Sequence, residues 1–144
     1  MTREINFDMD GTLANLYGVE GWLPCLQNKD TRPYAEARPL LNLQALARRL
    51  NTLKRKGYKL RVISWLAKNS DADYDKAVAK VKRFWLGLHL ASVEWDEIVI
   101  VPYGTPKYML GTGILFDDEE QNRTAWGEGA YDATEIMKVL KGLK

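Results

Sequence analysis

The segment NFDMDGTLAN, residues 6–15, decides the fold class of this chain. It places Asp8 and Asp10 one residue apart at the end of a short apolar run and follows them with Gly11 and Thr12. Two like charges this close repel each other, and a strand end gains little stability from them. A turn capped by an aspartate side chain would explain Asp10 and Gly11, but it would leave Asp8 unexplained. A bound cation or a phosphate-directed reaction is therefore the first explanation to test.

Four short segments of the chain have the composition of strands; the apolar runs in three of them stop at polar residues, and the run in EIVIVP is closed by Pro102. They are EINFD (4–8), KLRVIS (59–64), EIVIVP (97–102) and GILFDD (113–118). Short strands that are almost wholly apolar are typical of a parallel sheet buried on both faces. The sequence therefore predicts a sheet built from these four segments, with a fifth short strand near Tyr131.

Helical spacing of apolar residues lies between the strand segments. Leucines recur over 43–53 and Gly57 follows at a C-terminal cap position, while the pattern over 74–88 has Asp71 or Asp73 as its N-cap. A last helix is predicted from about 133 to 143. Alternating strands and helices favour a single Rossmann-like α/β domain over residues 1–144, with a parallel sheet flanked by helices.

Residues 15–39 do not fit this alternation. Glycines and prolines punctuate the segment, and aromatic side chains lie between them. An irregular segment of this length in a compact domain is usually functional. We expect it to form a loop or one short helix, which would make a minimal cap over the carboxyl end of the first strand.

Composition excludes several classes of protein. The net charge of +2 over 144 residues is too small to argue for nucleic acid or an anionic membrane as partner. No apolar stretch reaches the 18 or so residues of a spanning helix, and the first five residues lack the apolar segment of a signal peptide. Cys25 is the one cysteine, which excludes an internal disulfide and favours the reducing cytoplasm.

Polar side chains follow each of the four predicted strands. In an open parallel sheet, ligands bind at the carboxyl ends of the strands, so we expect these residues to share one rim. They are Asp8, Asp10, Ser64, Lys107, Asp117 and Asp118. Several carboxylates around one hard cation make a Mg²⁺ site, and a serine and a lysine beside it suit phosphoryl transfer.

The four segments FDMDGTLA, VISWLAK, GTPK and ILFDD resemble the four motifs of the haloacid dehalogenase (HAD) superfamily, in its phosphatase branch. They occur in that family's order and span most of the chain. The resemblance implies a Mg²⁺-dependent phosphomonoester hydrolase. It implies that Asp8 is the nucleophile that forms an aspartyl-phosphate and that Asp10 is the general acid/base.

The same resemblance implies how the phosphate and the metal are held. Ser64 and the N–H of Trp65 would bind phosphate oxygens, and Lys107 would neutralise the phosphate and orient the nucleophile. The Mg²⁺ ligands would be Asp8, the backbone carbonyl of Asp10, Asp117 and Asp118.

A narrower likeness is to the 5'(3')-deoxyribonucleotidase branch. It rests on SWLAK, on Trp85-Leu86 in the following helix, on DEIVIV, and on Asn122 four residues after Asp118. It implies a 5'-(deoxy)nucleotide substrate. Members of that branch carry a helical cap of several dozen residues, whereas only 15–39 are available here.

Four residues could contact the substrate: Tyr17, Trp22, Tyr34 and Lys68. The aromatic rings could stack on a base or close over the site, and they could equally form a small satellite core that holds the insert down. Lys68 could face the phosphate or be solvated.

Other functions stay open at this point. A polynucleotide 3'-phosphate, a sugar phosphate or a phosphoprotein would fit an open rim. A phospho-accepting receiver domain would need an aspartate at the end of the third strand, where IVIVPYG has none. A non-catalytic binding domain would have no need for the paired charges of Asp8 and Asp10.

Overall fold

Five parallel strands form the central sheet of the protein, for which a computed structural model describes residues 3–144. Residues 1 and 2, part of the segment expected to lack a signal peptide, lie outside the described residues. The strands of the chain are β1 (Glu4–Phe7), β2 (Ala14–Asn15), β3 (Arg38–Pro39), β4 (Lys59–Trp65), β5 (Glu97–Val101), β6 (Ile114–Phe116) and β7 (Ala130–Tyr131). The central sheet has the order β5-β4-β1-β6-β7. This arrangement confirms the predicted parallel α/β fold and the short fifth strand at Tyr131.

The first strand lies in the middle of the sheet. Ile5 pairs with Leu60 of β4 on one side and with Ile114 of β6 on the other. Because parallel strands in register end at the same edge, the residues after β1 and β6 and at the end of β4 become neighbours. Strand order therefore creates the shared rim that the sequence predicted.

The two faces of the sheet are covered differently. Ile5 and Phe7 are fully buried in the main hydrophobic core, together with the leucines of the helix that follows the insert. The alternate residue Asn6 points to the opposite face, since successive strand side chains alternate. There it accepts a 2.6 Å hydrogen bond from Arg61, which also donates to the carbonyl of Leu110. The crossover between β5 and β6 is held on that face by these bonds.

Six α-helices within residues 3–144 connect and flank the strands. They are α1 (Trp22–Gln27), α2 (Arg32–Glu36), α3 (Leu43–Arg55), α4 (Ala72–His89), α5 (Glu120–Trp126) and α6 (Ile136–Lys141). Helix α4 begins after Asp71, whose carboxylate accepts a 2.8 Å bond from the Tyr74 N–H, so Asp71 is the cap among the two predicted candidates. Gly57 follows α3 with φ +100°, as its predicted place at the helix end requires.

The insert is more ordered than the sequence predicted. It holds two short helices, α1 and α2, and the β2–β3 pair that closes it as an antiparallel ladder. The expectation of a loop or one short helix was therefore wrong. Pro24 and Pro33 were interpreted as signs of irregular chain, but both lie in the first turn of a helix, where the missing N–H has no partner to lose.

The structure differs from the sequence-based prediction in two smaller respects, at the last helix and at the edge strand β5. The predicted last helix divides into a 3₁₀ turn (Ala133–Glu135) and α6, because Asp132 caps the turn by accepting from the Thr134 N–H. Strand β5 is only half-buried, since it lies at the sheet edge. None of the helices within residues 3–144 is both long enough and apolar enough to cross a bilayer.

Candidate active site

The site lies where β1, β4 and β6 end. Asp8 follows β1 directly, and its N–H donates to the carbonyl of Phe116 at 2.9 Å, which fixes the first strand end to the last residue of β6. Asp117 follows β6, and its own N–H donates to Tyr131 of β7 at 3.1 Å. These ladder bonds hold two carboxylates side by side although 108 residues separate them in sequence.

Lys107 joins these two carboxylates. Its Nζ lies 2.7 Å from Asp8 Oδ1 and 2.8 Å from Asp117 Oδ2, and the lysine side chain is only 2% exposed. The residue lies on the crossover from β5 at the sheet edge to β6, which passes β4 and β1 on its way. A lysine from a remote turn therefore neutralises charge at the centre of the rim.

Asp118 completes a cluster of three carboxylates. Asp8, Asp117 and Asp118 each offer an oxygen within 4.8 Å of the other two. The Thr12 hydroxyl lies 3.0 Å from Asp8 Oδ2, to which it donates, and 3.4 Å from Asp118 Oδ1. Three hard oxygen ligands at this spacing suit Mg²⁺.

The turn after β1 leaves room for this cluster. Gly11 has φ +84°, a conformation that favours glycine, and a Cβ there would collide with the carboxyl group of Asp118. The backbone carbonyl of Met9 accepts from the N–H groups of Thr12, Leu13 and Ala14, which tightens the turn. The Asp-Gly pair of the opening segment is therefore explained by close approach and by backbone conformation together.

The electrostatics of the cluster favour a cation. Burial, followed by the charge of Asp8, raises the pKa of Asp117 above its ordinary value against the effect of Lys107. Burial and the contact with Asp8 raise the pKa of Asp118 as well. Burial is the main cause of both shifts and the nearby charge of Asp8 adds to it, so a divalent ion bound to these carboxylates would stabilise their ionised forms.

Asp10 lies on the same rim but points to a different partner. Its side chain is outside the three-carboxylate cluster, and Oδ2 accepts a 2.9 Å bond from the Nζ of Lys82. Burial raises the pKa of the Asp10 carboxyl, although the bond and charge of Lys82 oppose this. The cluster therefore contains three of the four predicted metal-binding aspartates by their side chains.

The predicted phosphate-binding residues of β4 lie beside Asp10. Ser64 is 1% exposed, and its hydroxyl accepts a 2.7 Å bond from Lys82. The Trp65 indole donates to the carbonyl of Thr105 at 2.7 Å and lies 5.4 Å from the Nζ of Lys107. The Trp65 ring thus holds the segment that delivers Lys107, a contact that the sequence did not predict.

A cavity of about 490 Å³ opens from these carboxylates toward the insert. Asp8, Asp10 and Lys107 are among the residues that line it. The four residues that the sequence proposed for substrate contact also line it: Tyr17, Trp22, Tyr34 and Lys68. The volume is in the usual range for small-molecule sites.

The insert aromatics serve in part as the satellite core that the sequence left open. Tyr34 is 3% exposed and packs in a small cluster with Leu16, Tyr74 and Val78. Tyr17, by contrast, is 46% exposed and meets Trp22 edge to face at 5.0 Å. Tyr17 and Trp22 are therefore the rings with surface to offer a ligand.

Three residues of the site were missed or given no role by sequence reasoning. Thr12 holds Asp8, and Asn122 donates to Asp117 Oδ2 at 3.1 Å. Lys82 is the clearest omission, because it is fully buried on α4. Its signal was present: it falls four residues after Val78 on the buried face of a helix, where an unpaired charge is costly.

Comparison with solved structures agrees with the fold. The chain resembles the crystal structure of D,D-heptose 1,7-bisphosphate phosphatase from Burkholderia thailandensis, with a TM-score of 0.53 and 12% sequence identity. The match covers 94% of this chain and 99% of that one. No protein-family model matches the sequence, and no curated protein matches it. At this identity the likeness supports the α/β architecture over almost the whole chain.

Proposed function

We propose that this protein is a Mg²⁺-dependent phosphomonoester hydrolase of the HAD type that acts through an aspartyl-phosphate on Asp8. The observation that carries the proposal is the convergence of Asp8, Asp117 and Asp118 within 4.8 Å, with Lys107 bonded to two of them. The similarity in fold to a heptose bisphosphate phosphatase supports the same class of reaction.

The donor set fits the metal that this chemistry needs. Carboxylates of Asp8, Asp117 and Asp118 would hold Mg²⁺, and the carbonyl of Asp10 is a further candidate ligand. When bound, the ion would offset the repulsion among the carboxylates and the negative charge of the phosphate.

We assign nucleophilic attack, proton transfer and phosphate binding to residues of the chain itself. An oxygen of Asp8 attacks phosphorus, and the ammonium of Lys107, which is bonded to Asp8, attracts the phosphate. Asp10 gives a proton to the leaving oxygen and later takes one from the attacking water. Ser64 and the Trp65 N–H are proposed as further phosphate contacts.

The shape of the cavity bears on the leaving group. A phosphate at Asp8 would place its ester group toward Tyr17 and Trp22, whose rings could stack on a nucleobase. We therefore propose a 5'-(deoxy)nucleotide as substrate. We also propose a cytoplasmic location, which the single cysteine, Cys25, fits. A polynucleotide 3'-phosphate, a sugar phosphate or a phosphoprotein is the alternative, and the bisphosphate phosphatase with the same fold favours the sugar phosphate among these.

A substrate panel tests both levels of the proposal. The purified protein is incubated with Mg²⁺ and with nucleoside 5'-monophosphates, 3'-phosphorylated oligonucleotides, sugar phosphates and a phosphopeptide, and phosphate release is measured. Hydrolysis that EDTA abolishes and Asp8→Asn removes is expected. A protein inactive on every ester under these conditions would favour a non-catalytic binding domain instead.

A further inference from the structure

We propose that Lys82 is a positioning residue that fixes Asp10 for proton transfer to and from the substrate; this inference rests on the phosphatase function proposed above. Lys82 is fully buried in the middle of α4. Lysine is almost never fully buried unless its charge is paired. Its contacts therefore need an explanation.

The ammonium of Lys82 has three protons, and the structure provides three acceptors. Nζ lies 2.9 Å from Asp10 Oδ2, 2.7 Å from Ser64 Oγ and 2.6 Å from the carbonyl of Trp65. An ammonium with every donor satisfied has one orientation and no competing partner. The ring of Tyr34, at 5.1 Å, lies beside it and shields it from solvent.

These bonds define which atoms remain free. Because Lys82 donates to Oδ2 of Asp10, the other carboxyl oxygen is left for the reacting proton. Because it also donates to Ser64, the Ser64 hydroxyl keeps its own proton to donate elsewhere. The end of β4 and the turn after β1 are thus joined through one side chain, which holds the acid/base at a fixed distance from the phosphate site.

The proton transfers follow from this arrangement. As Asp8 forms its bond to phosphorus, the ester P–O bond breaks and the carboxylic acid of Asp10 gives its proton to the departing oxygen. A water then attacks the aspartyl-phosphate, Asp10 takes a proton from that water, and inorganic phosphate leaves with Asp8 restored. Lys82 gains and loses no proton, and its part is orientation.

The dependence on leaving group distinguishes positioning from a structural role. An alkyl alcohol needs a proton to depart, whereas p-nitrophenolate departs without one. For Lys82→Met, kcat/KM on an alkyl phosphate should fall by about 10²-fold, the usual effect of a small misplacement of a catalytic group. The fall on p-nitrophenyl phosphate should be at least tenfold smaller. Lys80→Met, an exposed lysine on the same helix, is the matched control and should leave both values unchanged.

A double-mutant comparison tests whether Lys82 acts through Asp10. If it does, Lys82→Met combined with Asp10→Asn should be no slower than Asp10→Asn alone, because the group to be positioned has already lost its proton-transfer function. Multiplication of the two losses would overturn the proposal. So would equal losses of Lys82→Met on the alkyl and aryl esters.

Failure to fold is separated from failure of the mechanism by a second variant. If Lys82→Met lacks a cooperative unfolding transition, Lys82→Arg keeps the charge and moves the donors, so it should show the same steeper dependence on the leaving group. Lower rates with an unchanged dependence would refute the positioning role. A wild-type protein without phosphatase activity would refute the proposed function itself, which is a different result from either of these.

Discussion

Lys107→Met tests the charge balance at the centre of the site. Methionine has an unbranched apolar side chain similar in length to that of lysine, but it lacks the ammonium that bonds to Asp8 and Asp117. The side chains of these two aspartates are 10% and 0% exposed. Breaking a buried pair by removing one partner costs about 3–5 kcal/mol, because the remaining charge stays buried without an opposite charge beside it. For a domain of this size that corresponds to about 10–15 °C in Tm.

Bound Mg²⁺ should restore part of the stability that Lys107→Met loses. In the variant the cluster keeps its three carboxylates without the lysine, so a cation has more repulsion to relieve. We expect saturating Mg²⁺ to stabilise Lys107→Met by at least about 1 kcal/mol more than it stabilises the wild type, through tighter binding to the folded state. Phosphatase activity should nevertheless stay low, since the phosphate loses a cationic contact.

The assay is urea unfolding of both proteins at pH 7, in EDTA and in excess Mg²⁺, followed by fluorescence. Lys138→Met, an exposed lysine of α6, is the control and should change the free energy of unfolding by less than about 0.5 kcal/mol. A loss below about 1 kcal/mol for Lys107→Met would contradict the reasoning from burial. Equal stabilisation of variant and wild type by Mg²⁺ would show that the cation and the lysine do not share one charge cluster.

Three further outcomes are expected. Asp8→Asn should fold normally, release no phosphate and form no hydroxylamine-sensitive phosphoenzyme; retention of most activity would exclude Asp8 as nucleophile. Gly11→Ala should cost about 1–3 kcal/mol through its positive φ and weaken Mg²⁺ binding in calorimetry through contact with Asp118, whereas Gly104→Ala, also at positive φ but in open space, should show the strain alone. Burial opposes ionisation of Asp96, but hydrogen bonds from a backbone N–H and from a lysine lower its pKa below the ordinary value. The stability that this carboxylate contributes is therefore present above the unfolded pKa near 3.8 and is lost as the pH falls through the lower folded pKa. Because the Asp96 side chain is 37% exposed, solvent screens its charge, and Asp96→Asn should lower the free energy of unfolding at pH 7 by no more than about 1 kcal/mol. The variant should also lose less stability on acidification below pH 4, and an unchanged pH dependence there would contradict the assignment.

The sequence predicted the strands well because their signal is local. Apolar runs ended by aspartates or by Ser64 identify buried parallel strands without any knowledge of their neighbours. The helices α3 and α4 followed from spacing and caps for the same reason. The insert was harder, since Pro24 and Pro33 indicate a turn and the first turn of a helix equally well.

The role of Lys82 depends on contacts with residues that are distant in the sequence. Helical spacing from Val78 places Lys82 on the buried face of α4, but only the packing of α4 against the carboxyl ends of β1 and β4 shows that it meets Asp10 and Ser64. The same holds for the Trp65 indole, whose partner Thr105 lies 40 residues away.

The chain by itself determined which groups could do chemistry: paired aspartates after an apolar strand, a serine, a lysine and a second aspartate pair. The tertiary structure decided which of them meet, because β1 lies between β4 and β6 and the crossover from β5 carries Lys107 past β4 to Asp8 at the end of β1. The physical reason is that the energy of a charge interaction depends on the distance between the charges and on their burial. Neither quantity can be calculated from the spacing of residues along the chain.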